Sequence, residues 1–446
     1  MSEALATGGV QSYEERFPEA FRQPLLRRYG PLLLVTGVVV YLAYAFWFFD
    51  LGNVLRTAHW ERFGIYLTQS FSYDVQPEFR LGKDGIVVRY PRYSVLGDDP
   101  HPDWVVARPE GTYSVIFQPG AQTITFDTHG ATLVNNGQTV HLTIGSDKVT
   151  IDGAAPGWVQ DKDDEIDADF GFAGQARVST DRVKIMRRFL GWANFVFDTS
   201  SPFFGKSAGE DLKLIASGPD LVKDTPNWLL AAQNFWNNDE WQHGDVLTKL
   251  LQTIIMAFLG TFLGAVVALP LAFLAARNIT PSLLVNQVLK RLFDFLRSID
   301  MLIWALFFTR AFGPGPLSGS AAIFLTEAGT LGKIYSEGLE NIDDKEREGV
   351  TSTGAPPLAV QRFGVVPQIV PILVSQTVYQ WESNTRGATI IGAVGAGGIG
   401  LKLWEAMVTN ANWANVAYMV LLILITVFCF DMFSNAIRHR LIGRQR

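Results

Sequence analysis

The sequence predicts an α-helical polytopic membrane protein of about six transmembrane helices, with an inserted extracytoplasmic antiparallel β domain. Three observations carry that expectation: apolar runs long enough to span a bilayer flank a long polar middle; the middle contains short alternating β-type runs; and the basic residues gather on one set of loops. At 446 residues the chain exceeds one ordinary domain, and 48% hydrophobic residues is high for a chain with such a polar centre. A net charge of −6 gives no case for nucleic acid, and the single cysteine, Cys429, rules out an internal disulfide.

Residues 1–30 form a cytoplasmic N-terminal arm and 31–52 the first transmembrane helix. Pro31 to Phe49 carries no charge until Asp50 and follows the pair Arg27-Arg28, which holds the N-terminus inside. A cleaved signal peptide fits less well, because the polar leader is long and bulky Phe46-Trp47-Phe48-Phe49 stands where small residues would be needed.

Residues 53–240 read as an extracytoplasmic region, with amphipathic helices around a β-rich part at about 72–181. Val54 to Phe71 is amphipathic. Short strands are expected at Ile86–Tyr90, Tyr113–Phe117, Thr123–Phe126 and Thr132–Leu142. Asn136-Gly137 divides the last run into a hairpin, because both residues tolerate positive φ. The acidic run Asp161–Asp169 departs from a calcium loop, with Ile166 where Gly and Phe172 where Glu would be needed, and reads as a solvated loop. Gly205-Lys206-Ser207 lacks the first Gly of a phosphate loop, Ser200 standing in its place, and is rejected as a nucleotide site. Arg182 to Phe197 mixes cations with large apolar residues and is expected to lie along a membrane surface. Trp228 to Trp241 suits an aromatic interface before the next span.

Residues 241–446 hold the remaining five transmembrane helices, at Leu247–Ala276, Leu289–Phe312, Leu317–Leu331, Val365 to about Ile391 and Val416–Ile437. The N-terminal arm, Arg277 to Arg297, Lys345 to Arg362 and the tail Arg438 to Arg446 then fall on one side, the cytoplasm, with both termini.

On that side lies a charged segment, Lys345 to Pro367, between apolar spans. Asp343 and Asp344 favour the start of a helical turn, Gly354 permits the left-handed residue that ends it, and Pro356 suits the first turn of a second helix. The order Glu348, Gly354, Pro367 resembles the EAA loop of ABC-importer permeases, with Gly349 and Val350 replacing the two alanines, Gly364 where an Ile is usual and Val366 before the Pro. Leu250 to Asn278 resembles the first core helix of those permeases. Glu382-Ser-Asn-Thr-Arg386, followed by Gly395-Ala-Gly-Gly-Ile-Gly400, is similar to the permease subunit of phosphonate ABC importers. The resemblance covers the first helix and Trp241 to the C-terminus; the β domain is an insertion relative to shorter members.

Glu382 and Arg386 share a helix face and can pair, which lowers the cost of either at membrane depth. With the Asn384 amide they are candidates for the translocation pathway, since an Arg fork suits an oxyanion. An ion pair that only joins helices is the other reading. Arg297 and Asp300 read as braces for the loop or neighbouring helices. Gly395, Gly397, Gly398 and Gly400 can break a helix or let backbones approach, and the resemblance makes them part of an outer gate.

The resemblance implies a membrane-spanning permease of an ATP-driven importer for phosphonates or a related phosphorus oxyanion, working by alternating access and itself no enzyme. Glu348, Gly349, Gly354 and Pro367 would couple it to cytoplasmic ABC ATPase subunits. A periplasmic phosphonate- or phosphate-binding protein would deliver substrate, and a second permease copy, identical or a paralogue, would complete the path in the bacterial inner membrane. Neither cofactor nor metal is implied. The alternative is a membrane-anchored sensor or assembly protein with an external β domain.

Overall fold

The β-type runs of the middle fold into two antiparallel sheets. In the computed structural model of the chain, residues 25–442 are described apart from 59, 83, 84, 92, 93, 98, 99, 110, 163 and 410–412. Most of the N-terminal arm, and the last residues of the basic tail, therefore lie outside the described residues. The chain divides into two compact units, up to Tyr66 and from Leu67 on.

The first unit is built on α1 (Leu25–Phe48), with 24 residues, followed by α2 (Leu51–Thr57) after Asp50 turns the chain in a left-handed conformation at φ 48°. From Leu32 to Phe49 its large apolar side chains are exposed, as suits a helix whose surroundings are hydrocarbon. The helix α3 (Trp60–Ser70) follows.

In the second unit one sheet has seven strands in the order β10 (Val159–Asp161), β11 (Glu165–Asp169), β12 (Gly174–Ser179), β13 (Arg182–Leu190), β2 (Glu78–Gly82), β3 (Gly85–Arg89), with β1 (Ser72–Val75) on β13. The other is a six-stranded meander, β4 (Val105–Ala107), β5 (Tyr113–Gln118), β6 (Gln122–Phe126), β7 (Gly130–Asn135), β8 (Gln138–Ile144) and β9 (Val149–Asp152). Alternate residues of each strand point into a shared core. Phe79 of one sheet meets Phe126 of the other edge to face at 4.9 Å, with Ile124, Leu133, Ile166 and Val183 fully buried around them. Each such side chain stabilises the sandwich by about 1.5–3 kcal/mol. Asn135 pairs with Gln138 across the turn, where Asn136 (φ 49°) and Gly137 (φ 85°) are both left-handed, the two-residue hairpin geometry.

Arg182 to Phe197 is not a surface helix. Its first part is β13, which buries Val183 and Ile185 and pairs with β1, β2 and β12. Its cations are used inside the sheet system: Arg188 reaches Asp74 at 2.8 Å, and Arg187 lies over the rings of Trp104 and Phe189. The acidic run is also structural, since Asp167 is held by Lys162 at 2.5 Å and Arg177 at 2.8 Å. Ser207 of the rejected phosphate loop caps α4 (Ala208–Ser217) in a capping box with Glu210.

After α5 (Asn227–Trp236) come the long helices α6 (His243–Ala275), α7 (Leu283–Ser298), α8 (Met301–Phe312) and α9 (Pro316–Glu340). Then follow α10 (Asp344–Thr351), α11 (Pro357–Val360), α12 (Val366–Ile391), α13 (Gly398–Thr409) and α14 (Trp413–Ile442). Small residues let α6 and α9 approach: a Cβ on Gly260 would stand 2.5 Å from Ile323 Cβ, and one on Gly264 2.8 Å from Glu327 Cβ.

Two of the expected spans are altered. Leu289–Phe312 is broken at Ile299 and Asp300, which are extended, because the Asp300 carboxylate accepts from the Leu302 N–H at 2.8 Å and starts a new helix. Leu317–Leu331 is the first part of the longer α9, which continues through Lys333 and Glu337. Among the described residues four helices are long and apolar enough to cross a membrane: Tyr29–Phe48, His243–Ala275, Pro357–Ala396 and Trp413–Arg440.

Candidate functional site

The charged segment folds as a helical elbow. The Asp343 carboxylate accepts from the Lys345 N–H at 2.9 Å and caps α10, and Arg347 pairs with Asp344 at 3.0 Å. Gly354 takes φ 77° in the turn that follows. Pro356 is the cap residue of α11 rather than part of its first turn, which opens on Pro357. One π-helical stretch, Gln361–Val365, then carries α11 into α12 without a break. The two halves of the elbow touch at Gly364, where a Cβ would stand 3.2 Å from Arg347 Cα. A side chain at this position would press on the Arg347 backbone, which would have to give by a few tenths of an ångström.

Glu348 and Gly349 are exposed, and so is Pro367. Beside them Leu358 and Phe363 hold 83% and 63% of their surface open. The other side of the elbow is fixed: Val365 and Ile369 are fully buried with Leu331, Tyr335, Leu339, Ala268 and Ala272. Gln368 ties the segment's start to its end, accepting from the Asp343 N–H at 3.2 Å and donating to the Gly364 carbonyl at 2.7 Å. The elbow's second half is thus packed against α6 and α9 through buried side chains.

Midway along α12, Glu382 and Arg386 form an ion pair at 3.1 Å. The Glu382 side chain is 5% exposed and that of Arg386 47%, so the pair anchors its acid in the packed helices and presents its guanidinium outward. Asn384 turns the other way and donates to Thr261 Oγ1 of α6 at 2.9 Å. The sequence reading joined these three residues, yet the structure divides them between two faces of one helix.

Asn384 faces a residue that sequence reasoning missed. Glu327 of α9 is 4% exposed, and its Oε2 has no hydrogen-bond partner among the described residues. A lone acid in an apolar run was the available signal; its neighbours Gly264 and Asn384 lie far away in sequence. Arg297 pairs with Asp294 on its own helix at 3.4 Å, while the ties to α9 come from Lys290 with Glu340 at 2.8 Å and Lys333 with Asp294 at 3.3 Å.

At the end of α12 the glycines break the helix. Gly395 (φ 104°), Gly397 (φ 82°) and Gly398 (φ 69°) are all left-handed, and α13 starts at Gly398. The Gly315 N–H donates to the Gly395 carbonyl at 3.0 Å, and the Ile399 N–H donates to Thr253 Oγ1 of α6 at 2.9 Å. Gly400 is buried where a Cβ would stand 3.1 Å from Gly392 Cα. Elbow and glycine segment thus lie at opposite ends of α12, with the ion pair between them.

Residues 268–444, which hold the elbow, ion pair and glycine segment, match the family model of the binding-protein-dependent transport system inner membrane component. The phosphite transport system permease protein PtxC of Stutzerimonas stutzeri is 38% identical over 192 residues, 43% of this chain and 70% of that protein. The chain belongs to this transport family. Other relatives are the phosphate-import permease protein PhnE of Mycolicibacterium smegmatis, 38% identical over 44% of this chain and 37% of that one, and a cryptic phosphonate transport system permease protein, PhnE2, of Escherichia coli K12, 40% identical over 27% and 98%.

As an inner membrane component of a binding-protein-dependent transport system, the chain is a multi-pass permease subunit of an ABC importer. Transport permeases of this family are not enzymes, and ATP hydrolysis resides on a separate subunit. Family membership also implies a substrate-binding protein and a second permease as partners, and it does not favour a sensor or assembly role.

Proposed function

We propose that the chain carries phosphonates or a related phosphorus oxyanion, phosphite or phosphate, across the inner membrane. The relatives named for phosphite, phosphate and phosphonate transport support this substrate class. The half-exposed Arg386 guanidinium, backed by Glu382, supplies the chemistry: a planar fork of N–H donors suited to two oxyanion oxygens. Glu382 and Asn384 hold α12 in place, so Arg386 is the pathway residue that meets substrate.

The elbow lies on the cytoplasmic side with both termini, and the β domain lies outside. Glu348 and Gly349 enter a groove of the ATPase, with Leu358 and Phe363 covered in the complex. Gly354 and Pro367 set the turn and the start of the span. Gly395, Gly397, Gly398 and Gly400 form the outer gate, where a periplasmic phosphonate- or phosphate-binding protein releases its load. A second permease copy closes the path.

The observation that carries this reading is the position of the Glu382–Arg386 pair between an elbow with an open apolar face and a broken helix end. Uptake of phosphite, phosphate and methylphosphonate into proteoliposomes containing the chain, its ATPase and its binding protein tests it. ATP-dependent uptake of at least one of them that Arg386→Gln abolishes is expected. Unchanged uptake in that variant, or transport of none of the three, contradicts it.

A further inference from the structure

The β domain is joined to the helices by more than a tether. Its two ends are bound to each other, with β1 paired to β13, Arg188 on Asp74 at 2.8 and 3.2 Å, and the rings of Tyr73 and Phe189 stacked at 5.3 Å. Beyond them the Gly191 N–H donates to the Phe71 carbonyl at 2.9 Å, and Trp192 Nε1 donates to the Ser70 carbonyl at 3.0 Å.

The chain then enters an aromatic joint on α6 and α14. His243, fully buried at the start of α6, lies 2.6 Å from the Phe195 carbonyl through Nε2 and 2.8 Å from Tyr418 Oη through Nδ1. A carbonyl can only accept, so Nε2 carries the proton, and in the neutral ring Nδ1 accepts from the Tyr418 hydroxyl. Trp241 and Trp192 pack on Tyr418, and Trp241 Nε1 donates to the Ala193 carbonyl at 2.8 Å.

The same cluster contains Ile399 of the glycine segment, fully buried with Trp241, Val246 and Tyr418. One turn later Lys402 bonds Gln242 Oε1 at 2.7 Å and pairs with Asp245, both at the start of α6.

The geometry points to a rigid joint between the β domain and the glycine segment, so that the sandwich and the outer gate move as one body. His243 and Tyr418 are its positioning residues. The inference rests on reading Gly395–Gly400 as the gate. A flexible insertion would need only a loop; here the strands and ion pair hold the domain's two ends together, and the buried ring cluster with its directed hydrogen bonds holds the residues that follow β13 on α6, α14 and Ile399.

Spin labels at Thr139 on the sandwich and Met407 on α13, in a Cys429→Ser background, give the distance that tests this. The assembled transporter with its ATPase and binding protein is measured in nanodiscs, nucleotide-free and vanadate-trapped. A third label, at Ser352 in the elbow, reports the transport cycle. A narrow Thr139–Met407 distribution that stays in place between states is expected, with broadening in Tyr418→Phe and more in His243→Ala. A shift of about 5 Å or more between states, the size of a one-turn displacement, overturns the joint. So does a broad distribution in the resting protein, or a width that Tyr418→Phe leaves unchanged. ATPase activity that the loaded binding protein does not stimulate, with an unmoving Ser352 label, would instead count against the permease reading; the resting-state width still tests the joint.

Discussion

Glu382 and Arg386 sit one helical turn apart on α12, joined at 3.1 Å, with the acid enclosed by protein and the base half open. This asymmetry leaves the guanidinium accessible while its acid is packed among the helices. Removing the base leaves a buried carboxylate without its charge partner, so position and transport suffer together. Arg386→Lys keeps the charge but loses the planar fork. We expect uptake to fall by about tenfold or more, in line with about 1.5–3 kcal/mol for a hydrogen bond to a charged group, with thermal stability near that of the wild type. Uptake and melting temperature of the purified complex, measured side by side, decide this. Wild-type uptake would make the pair purely structural.

The α6–α9 crossing depends on the absence of a side chain at Gly264, where a Cβ would stand 2.8 Å from that of Glu327. Gly264→Leu is expected to destabilise the helix pair by about 1–3 kcal/mol or more, the usual range for overpacking. Gly313→Ala is the comparison, because nothing lies within 4 Å of a Cβ there and only its φ of +85° is strained. Detergent-resistant folded fraction after heating should fall much further in the first variant.

In the β domain Asp167 provides an acid-sensitive lock. Burial raises its pKa, but the hydrogen bonds and charges of Lys162 and Arg177 outweigh that and hold it below the model-peptide value of 3.8. A carboxylate depressed on folding contributes stability above its unfolded pKa and loses it as pH falls through the folded one. Hydrogen exchange at β11 and β12 in the full chain should be flat from neutral pH to about 5 and speed up below about 4 after correction for intrinsic rates. Asp167→Asn should remove that acid limb and exchange faster at neutral pH.

The sequence made some of this legible because the signal was local. Asn136-Gly137 and Gly354 were readable as left-handed turn positions, and the spacing of Glu382 and Arg386 alone implied their pair. Other features depend on partners distant in sequence. Arg187 and Arg188 resembled the basic face of a surface helix because Trp104 and Asp74, which they meet, lie on other strands. Glu327 is a single acid in an apolar run, and its surroundings, Gly264 of α6 and Asn384 of α12, are distant in sequence. The break at Asp300 was hidden because the apolar composition continues through it, and only the cap on Leu302 shows where one helix stops and the next starts.

Force passed from the ATPase through the elbow would depend on the turn at Gly354 and on the exposed Glu348. A Val at Gly354, where φ is +77°, costs about 1–2 kcal/mol or more in a left-handed conformation and tilts α10 against α11. Glu348→Ala removes an exposed carboxylate and leaves the fold alone. The most direct measurement is the ratio of substrate transported to ATP hydrolysed by each variant, reconstituted with its ATPase and loaded binding protein. We predict normal amounts of chain in the membrane, continued hydrolysis and a ratio reduced about tenfold or more, the size of a coupling free energy of about 1–3 kcal/mol. A wild-type ratio in both variants would contradict the account.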